Sequence, residues 1–400
     1  MYQELAINGG KPVRDELLPY GHQCIDEEDI KAVIEVLRSD WITQGPKVVE
    51  FEKIFATYVG ARYAIAVNSG TAALHTACFA AGISKGDKAI TTPITFAASA
   101  NCVIYQGGAP VFADIREDTL NIDPEEIKKK ITSDTRALIP VDFTGLPADL
   151  EEILQIARKN NLIVIEDASH ALGATYKDSK IGSISDMTIF SFHPVKHITT
   201  GEGGMITTNN KKYYERLKVF RTHGITKEKD KLLNYEGPWY YEMQELGYNY
   251  RLTDFQCALG IAQLKKIDKN IQRRVEIAKR YNDEFKDLTE IIIPELNPLD
   301  SNSAWHIYII QLNLEKLKVG RKEIYEALRA ENIGVNVHYI PVHLQPYYRN
   351  KYNYHQGDFP KAERYYSRTI TLPIFPKMAK NDIKDVIKAV KKVIAYYKNK

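Results

Sequence analysis

Between residues 64 and 167, five short apolar runs alternate with four helix-forming stretches. The runs are 64–67, 88–92, 110–114, 137–142 and 162–166. Between them lie an Ala-rich helix over 72–81 closed by Gly82, a helical stretch over 96–106, a helix opened by Asp123 and Pro124, and one over 149–159. Strands separated by helices cannot pair as hairpins, so the pattern predicts a parallel sheet with right-handed crossovers and helices on its faces. Two more strand-like runs follow at 187–192 and 205–208, the first leading into the stretch SFHPVKHITTGEGG. In such sheets ligands sit beyond the carboxyl ends of the strands. Ser69, Phe96, Asp167 and Lys196 each lie just past a run, so one mouth can collect them.

The remaining chain reads as follows. Asp26 caps a helix with Asp29 three residues on, and Ile30, Val33, Ile34 and Leu37 repeat at helical spacing. A loop over 40–46 leads to a second helix through 49–58. The segment 238–254 is rich in aromatics. From Phe255 a helical pattern runs to Phe285 and links two domains. Residues 290–400 mix short strands (307–312, 334–337) with amphipathic helices over 320–331 and 381–397, an α+β cap. The expected division is a large domain over 1–265 and a small one over 266–400, with residues 1–20 packing on the latter. Lys and Arg number 54 against 51 Asp and Glu, a balance that gives no support for nucleic acid as a partner. The four cysteines, Cys24, Cys78, Cys102 and Cys257, show no metal-ligand spacing and read as reduced thiols. The segment MYQELAINGG carries no apolar signal core and no run approaches a membrane span, so a cytoplasmic enzyme is expected, with no metal and no membrane partner.

Taken singly, the candidate residues have plain structural readings. Lys196 is a loop lysine, unless partial desolvation beyond a buried strand makes it a nucleophilic amine. Asp167 caps a turn, or keeps a ring nitrogen of a flat ligand protonated. Ser69-Gly70-Thr71 is an N-cap, or a phosphate turn. Phe96 is core, or stacks on an aromatic ligand. His170 and His193 read as satisfied structural histidines. Their order along one α/β domain joins the functional readings: phosphate turn, aromatic, strand-end Asp, strand-end Lys.

With NSGTAAL (68–74), TTPITFAASAN (91–101), EDASHALGA (166–174), SFHPVK (191–196), TTGEGG (199–204), RTHGI (221–225) and GYNYRLTD (247–254), the chain resembles the DegT-type sugar-nucleotide aminotransferases, enzymes of pyridoxal phosphate (PLP) fold type I. The likeness covers most of residues 20–265, and more weakly extends through VHYIPVH (337–343). It implies a mixed, mostly parallel seven-stranded sheet flanked by helices, plus a smaller α+β C-terminal domain. It also implies roles. Lys196 would hold PLP as a Schiff base and carry protons. Asp167 would pair with the pyridine nitrogen, His170 lie near the phenolic oxygen and Phe96 stack on the ring. Ser69, Gly70, Thr71 and Ser191 would hold the phosphate. Asn249 matches a position that reaches the phosphate in the neighbouring subunit, which implies a homodimer with shared sites. Tyr20 and the loop Asp40, Trp41, Ile42 and Thr43 match sugar-nucleotide contacts, and His338 and Tyr339 would face the substrate.

Within the family, SFHPVKHITTGEGG and QELGYNYRLTDFQCALG are most similar to the branch that makes the 4-amino sugar of pseudaminic acid biosynthesis. The implied reaction moves the amino group of L-glutamate, by way of pyridoxamine phosphate, to C4 of a UDP-linked 4-keto-6-deoxy-N-acetyl-hexosamine. Three alternatives stay open: a transaminase for another keto sugar, amino at C3 or C4; a sugar dehydratase of the same fold, whose branch carries His where this chain has Lys196; and a non-catalytic relative, which needs neither Lys196 nor Asp167.

Overall fold

The structure, a computed structural model, describes residues 4–296 and 301–399. Helices α1 (Glu27–Leu37) and α2 (Pro46–Val59) come first. The alternation follows: β1 (Tyr63–Val67), α3 (Gly70–Ala80), β2 (Lys88–Thr91), α4 (Ala98–Tyr105), β3 (Ala109–Phe112), α5 (Pro124–Lys130), β4 (Thr135–Ile139), α6 (Leu150–Asn160) and β5 (Ile163–Asp167). A short hairpin of β6 (Thr175–Tyr176) and β7 (Ser179–Lys180) precedes β8 (Met187–Ser191) and β9 (Gly204–Thr208). These strands form one sheet in the order β1-β9-β8-β5-β4-β2-β3. It is parallel except for β9, which runs antiparallel to both β1 and β8.

Alternation along each strand sends neighbouring residues to opposite faces. Ala64, Ala66, Ile90, Leu138, Val164, Phe190 and Met205 pack on one face under α2, α6 and a later helix over 254–264. Ile65, Val67, Ala89, Ala137, Ile139, Ile165, Ile189 and Ile206 pack on the other under α3 and α4. Because the sheet is buried on both faces, its strands read as unbroken apolar runs in sequence.

Beyond the sheet lie α7 (Lys211–Arg221), the two-stranded β10 (Ile225–Thr226) and β11 (Glu242–Met243), then α8 (Asp254–Leu264) and α9 (Ile267–Phe285). The C-terminal part adds β12 (Ile291–Ile292), β13 (Ser301–Asn302), β14 (Tyr308–Leu312), α10 (Arg321–Ala330), α11 (Pro346–Tyr352), α12 (Pro360–Arg368), β15 (Thr369–Leu372) and α13 (Lys380–Tyr397). A second core gathers Leu5 and Leu18 with residues of α9, α10, β14, β15 and α13. The N-terminal segment is tied there by Glu331, whose carboxylate accepts from the N–H groups of Ala6 (2.9 Å) and Val13 (2.9 Å).

Several expectations need correction. The helix expected over 255–285 is two helices, broken at Lys265 and Lys266. There Lys266 turns back to pair with Asp26 (2.5 Å) and with the buried Asp29 (2.6 Å). The strand expected over 334–337 does not form: among the described residues that segment makes a single bridge, Asn336 to Thr371, next to another from Leu18 to Ile333. The helix expected from Phe96 starts at Ala98, so Phe96 sits in the turn before it. The strand expected over 137–142 is continuous only to Ile139: Pro140 has no N–H to give, and the pairing with β5 goes on as a single bridge from Val141 to Asp167. All four cysteines are free, and three are buried. Among the described residues no helix is long and apolar enough to cross a membrane.

Candidate active site

Four pieces of chain converge where β1, β5 and β8 end and β9 begins. Gly204 pairs with Val67 on one side and Ser191 on the other. That register brings the turn after β1 beside the end of β8. Ser69 caps α3 by accepting from the N–H of Ala72 (3.0 Å). The N–H groups of Gly70 and Thr71, in the first turn of α3, have no intrahelical acceptor and carry the positive end of the helix dipole. A Cβ on Gly70 would lie 3.0 Å from Ser191 Cβ and 3.2 Å from its Oγ. Only a glycine lets this helix end approach Ser191 so closely, and the result is a cradle of N–H and hydroxyl donors suited to a phosphate.

Asp167 closes β5, 5% exposed. Its carboxylate is oriented by two donors: Ser99 Oγ on α4 reaches Oδ2 at 2.6 Å, and the Ser169 N–H reaches Oδ1 at 3.1 Å. Lys196 sits in the β8–β9 loop, which is held rigid by its own hydrogen bonds. The Lys196 N–H donates to His193 (2.9 Å), the Thr200 N–H and Thr199 Oγ1 both donate to Phe192 O (3.1 and 2.9 Å), and the Gly201 N–H donates to Thr199 Oγ1 (3.0 Å). Desolvation lowers the amine's pKa to about 8, against the opposing pull of the Asp167 carboxylate. At pH 7 about a tenth of the amine is therefore neutral, rather than a few parts in ten thousand for an ordinary lysine.

The surroundings of that amine are imidazoles. His306 Nε2 lies 3.5 Å from Lys196 Nζ, and its ring centroid lies 4.3 Å from that of His170 and 5.5 Å from that of His197. His197 Nε2 donates to Ala304 O (3.0 Å). His338 Nδ1 lies 2.8 Å from Thr371 Oγ1. Burial pushes all four rings below the ordinary histidine range, so they are neutral at physiological pH. His170 Nε2 meets Tyr339 OH at 3.2 Å, while its Nδ1 is buried without a partner. A buried polar atom left open at the sheet mouth fits a ligand that supplies its counterpart.

The structure therefore brings together Ser69, Gly70, Thr71 and Ser191 as one cluster, and Asp167, His170, Lys196, His338 and Tyr339 as another. Phe96 joins the second, its ring 6.4 Å from Tyr339 and its side chain 62% exposed, an unusual state for a phenyl ring unless something flat covers it. Tyr20 packs on His338 at 5.5 Å. Asp40, Trp41, Ile42 and Thr43 are exposed and contact another segment: Thr43 bridges to Thr253, and Ile42 O accepts from the Asp254 N–H (3.1 Å). Asn249 is exposed, its backbone bridged to Thr222 and its carbonyl accepting from Asn68 Nδ2 (3.3 Å). Sequence reasoning missed Ser99, His197 and His306. Ser99 lies within the quoted 91–101 motif, three residues past Phe96. His306 had no local signal, being 110 residues from its lysine.

Residues 23–391 match the DegT/DnrJ/EryC1/StrS aminotransferase family. The chain belongs to that family and is a sugar aminotransferase of the PLP fold type I. It is 46% identical to the spore coat polysaccharide biosynthesis protein SpsC of Bacillus subtilis, over 95% of this chain and 98% of that one. It is 39% identical to the UDP-4-amino-4,6-dideoxy-N-acetyl-beta-L-altrosamine transaminase of Campylobacter jejuni, over 92% of this chain and 96% of the relative. Among solved structures, Helicobacter pylori PseC, an aminotransferase involved in the biosynthesis of pseudoaminic acid, superposes with a TM-score of 0.88 at 33% identity, covering 96% of this chain and all of that one.

Proposed function

We propose that this protein transfers the amino group of L-glutamate to C4 of a UDP-linked 4-keto-6-deoxy-N-acetyl-hexosamine, giving UDP-4-amino-4,6-dideoxy-N-acetyl-β-L-altrosamine. The observation that carries the chemistry is a desolvated lysine amine, at about 8, facing a strand-end carboxylate beside a phosphate cradle. The Campylobacter relative supports the sugar. The cofactor is pyridoxal phosphate. The residues present fit it: a donor-lined cradle for the phosphate, a held carboxylate for the ring nitrogen, an open buried nitrogen on His170, and an uncovered phenyl ring.

In this reading Ser69, Gly70, Thr71 and Ser191 hold the phosphate, Phe96 covers the ring and His170 addresses its phenolic oxygen. Asp167, fixed by Ser99 and the Ser169 N–H, keeps the pyridine nitrogen protonated. When bound, the cofactor supplies an electron sink beside the amino nitrogen. Lys196 Nζ, in its neutral form, takes the proton from the α-carbon of the amino donor and later delivers one to C4 of the sugar. Donor and acceptor use the same site in turn, a ping-pong order. Tyr20, Asp40, Trp41, Ile42, Thr43, His338 and Tyr339 bind the sugar nucleotide.

The working unit is a homodimer with Asn249 reaching the partner's phosphate site. Exposed apolar side chains support it: Trp41, Ile42, Met243, Leu246 and Tyr248 lie along the 40–43 and 243–249 segments, and Ile30, Ile34 and Leu37 expose the stripe of α1. The higher identity to SpsC favours a second reading, the same chemistry on another nucleotide-linked keto sugar. Absorbance separates them. Under the first reading L-glutamate bleaches the visible band of the holoprotein and the UDP-linked 4-keto sugar restores it. Bleaching without recovery moves the assignment to another sugar. Absence of a band after PLP is supplied removes Lys196 from its role.

A further inference from the structure

The C-terminal part contributes more than a wall to the site. His306 is, among the described residues, the one hydrogen-bond partner of Lys196 Nζ, at 3.5 Å, the outer limit for such a bond. The segment that carries it is fixed from several sides. Arg274 on α9, 2% exposed, donates through Nη1 to the carbonyls of Trp305 (3.2 Å), His306 (3.0 Å) and Ile374 (2.9 Å). It has no carboxylate partner among the described residues, and burial drops its pKa to about 10 against an opposing pull from Cys24. Burying an unpaired cation is costly, and here that cation anchors the backbone of His306. On the opposite side the Ala304 N–H donates to Gly145 O (2.9 Å). Gly145 has φ +106°, and a Cβ there would lie 2.8 Å from Trp305 N and 2.9 Å from His306 N. The imidazole itself packs on His170, and its Nδ1 is buried without a partner.

We propose that His306 is a positioning residue for Lys196: its neutral imidazole accepts a hydrogen bond from the ammonium of the lysine once it is free of the cofactor, and holds Nζ at the sheet mouth. The proposal rests on the reading of Lys196 as the cofactor lysine. No proton changes hands in this role. Nε2 supplies the lone pair and Nδ1 carries the proton, since an ammonium has only donors. A lysine on its four-carbon stem loses rotamer freedom when held, and a built-in acceptor offsets that loss. The groups facing the pair are Asp167, whose carboxylate favours the ammonium, the neutral rings of His170, His197 and His338, and the Arg274 cation, which opposes further positive charge.

The test follows the rate at which cofactor-free, full-length protein captures PLP, read as growth of the visible band across about pH 6 to 10. The midpoint of that rate reports the ionisation of Lys196 and is expected near 8 in the unaltered protein. His306→Phe, or His306→Leu if the Phe variant does not fold, removes the acceptor from the ammonium. The midpoint then falls by about one unit. Single-turnover bleaching by L-glutamate slows about tenfold in the same variant, so capture at neutral pH quickens while transfer slows. His306→Gln, whose amide oxygen can accept, keeps the midpoint of the unaltered protein. Equal midpoints in the Phe (or Leu), Gln and unaltered proteins, each folded by circular dichroism, overturn the proposal. If Lys196→Ala forms the same borohydride-fixed link to PLP as the unaltered protein, the reading of Lys196 fails instead.

Discussion

At the scale of single residues, the legible part of the site was the part that lies at strand ends. Ser69, Asp167 and Lys196 stand where an α/β sheet presents ligands, and each is flagged by the apolar run before it. Ser99 was hidden because its role depends on α4 turning its hydroxyl toward β5, a tertiary fact with no local pattern. Yet it donates the shorter of the two bonds that orient Asp167, 2.6 Å against 3.1 Å. Bonds to a charged acceptor contribute roughly 1.5–3 kcal/mol. Ser99→Ala is therefore expected to weaken PLP retention by about tenfold or more, measured by dialysis of the holoprotein. Retention unchanged from the parent would show that Ser169 alone suffices. Lys196→Ala is expected to bind PLP without a covalent link and to lose turnover. Normal turnover by that variant would end the assignment.

At the scale of elements, the ends of β4 and β5 share a device that the sequence showed only as two acidic letters. Asp142 and Glu166 are both fully buried. Asp142 Oδ1 accepts from the Ala148 N–H (2.9 Å) and Glu166 Oε2 from Thr188 Oγ1 (2.9 Å). The two carboxyls neighbour one another and desolvation raises both pKa values; the Glu166 charge and a hydrogen bond to it push Asp142 up further, while Glu166 is raised also by the Asp167 charge and drawn back by hydrogen bonds from Asp142, Ser185 and Thr188. One proton is thus held in the folded state that the unfolded chain releases above about pH 4. Stability from such a group is full below the unfolded pKa and is lost as pH rises through the folded one. Glu166→Gln keeps a donor without needing that proton. Its thermal midpoint should fall less than the parent's as pH rises from about 4. Parallel curves would rule out the shared proton. The misread elements have equally local causes: the apolar letters at 334–337 resembled a strand, but that stretch meets the N-terminal segment and β15 one residue at a time.

At the scale of the whole molecule, the alternation over 64–167 pointed to a parallel sheet, because a helix between two strands carries the chain back to pair in the same direction; β2, β3, β4, β5 and β8 pair so, whereas β1 meets the antiparallel β9. The antiparallel turn of β9 was not legible, since an apolar run carries no direction. Shared sites across a dimer make a sharp prediction. Asn249→Ala and Lys196→Ala, each inactive or weak alone, should regain part of the activity when mixed, because one hybrid site keeps both residues. No recovery, with mixed dimers shown by mass, would place every site within one chain. The position of β9 also sets a schedule. β1 has β9 as its sole neighbour in the sheet, and Gly204 lies against Ser69. Roughly 140 residues separate the two strands. At ribosomal speeds of about 5–20 residues per second, the turn at Ser69–Thr71 waits roughly 7–30 s after its own synthesis for the strand that completes it. A nascent chain arrested before Gly204 carries Ser69–Thr71, Asp167 and Ser191 without the strand whose register draws that turn beside Ser191, so on the proposed reading of the turn such a chain is expected to take up no vitamin-derived group.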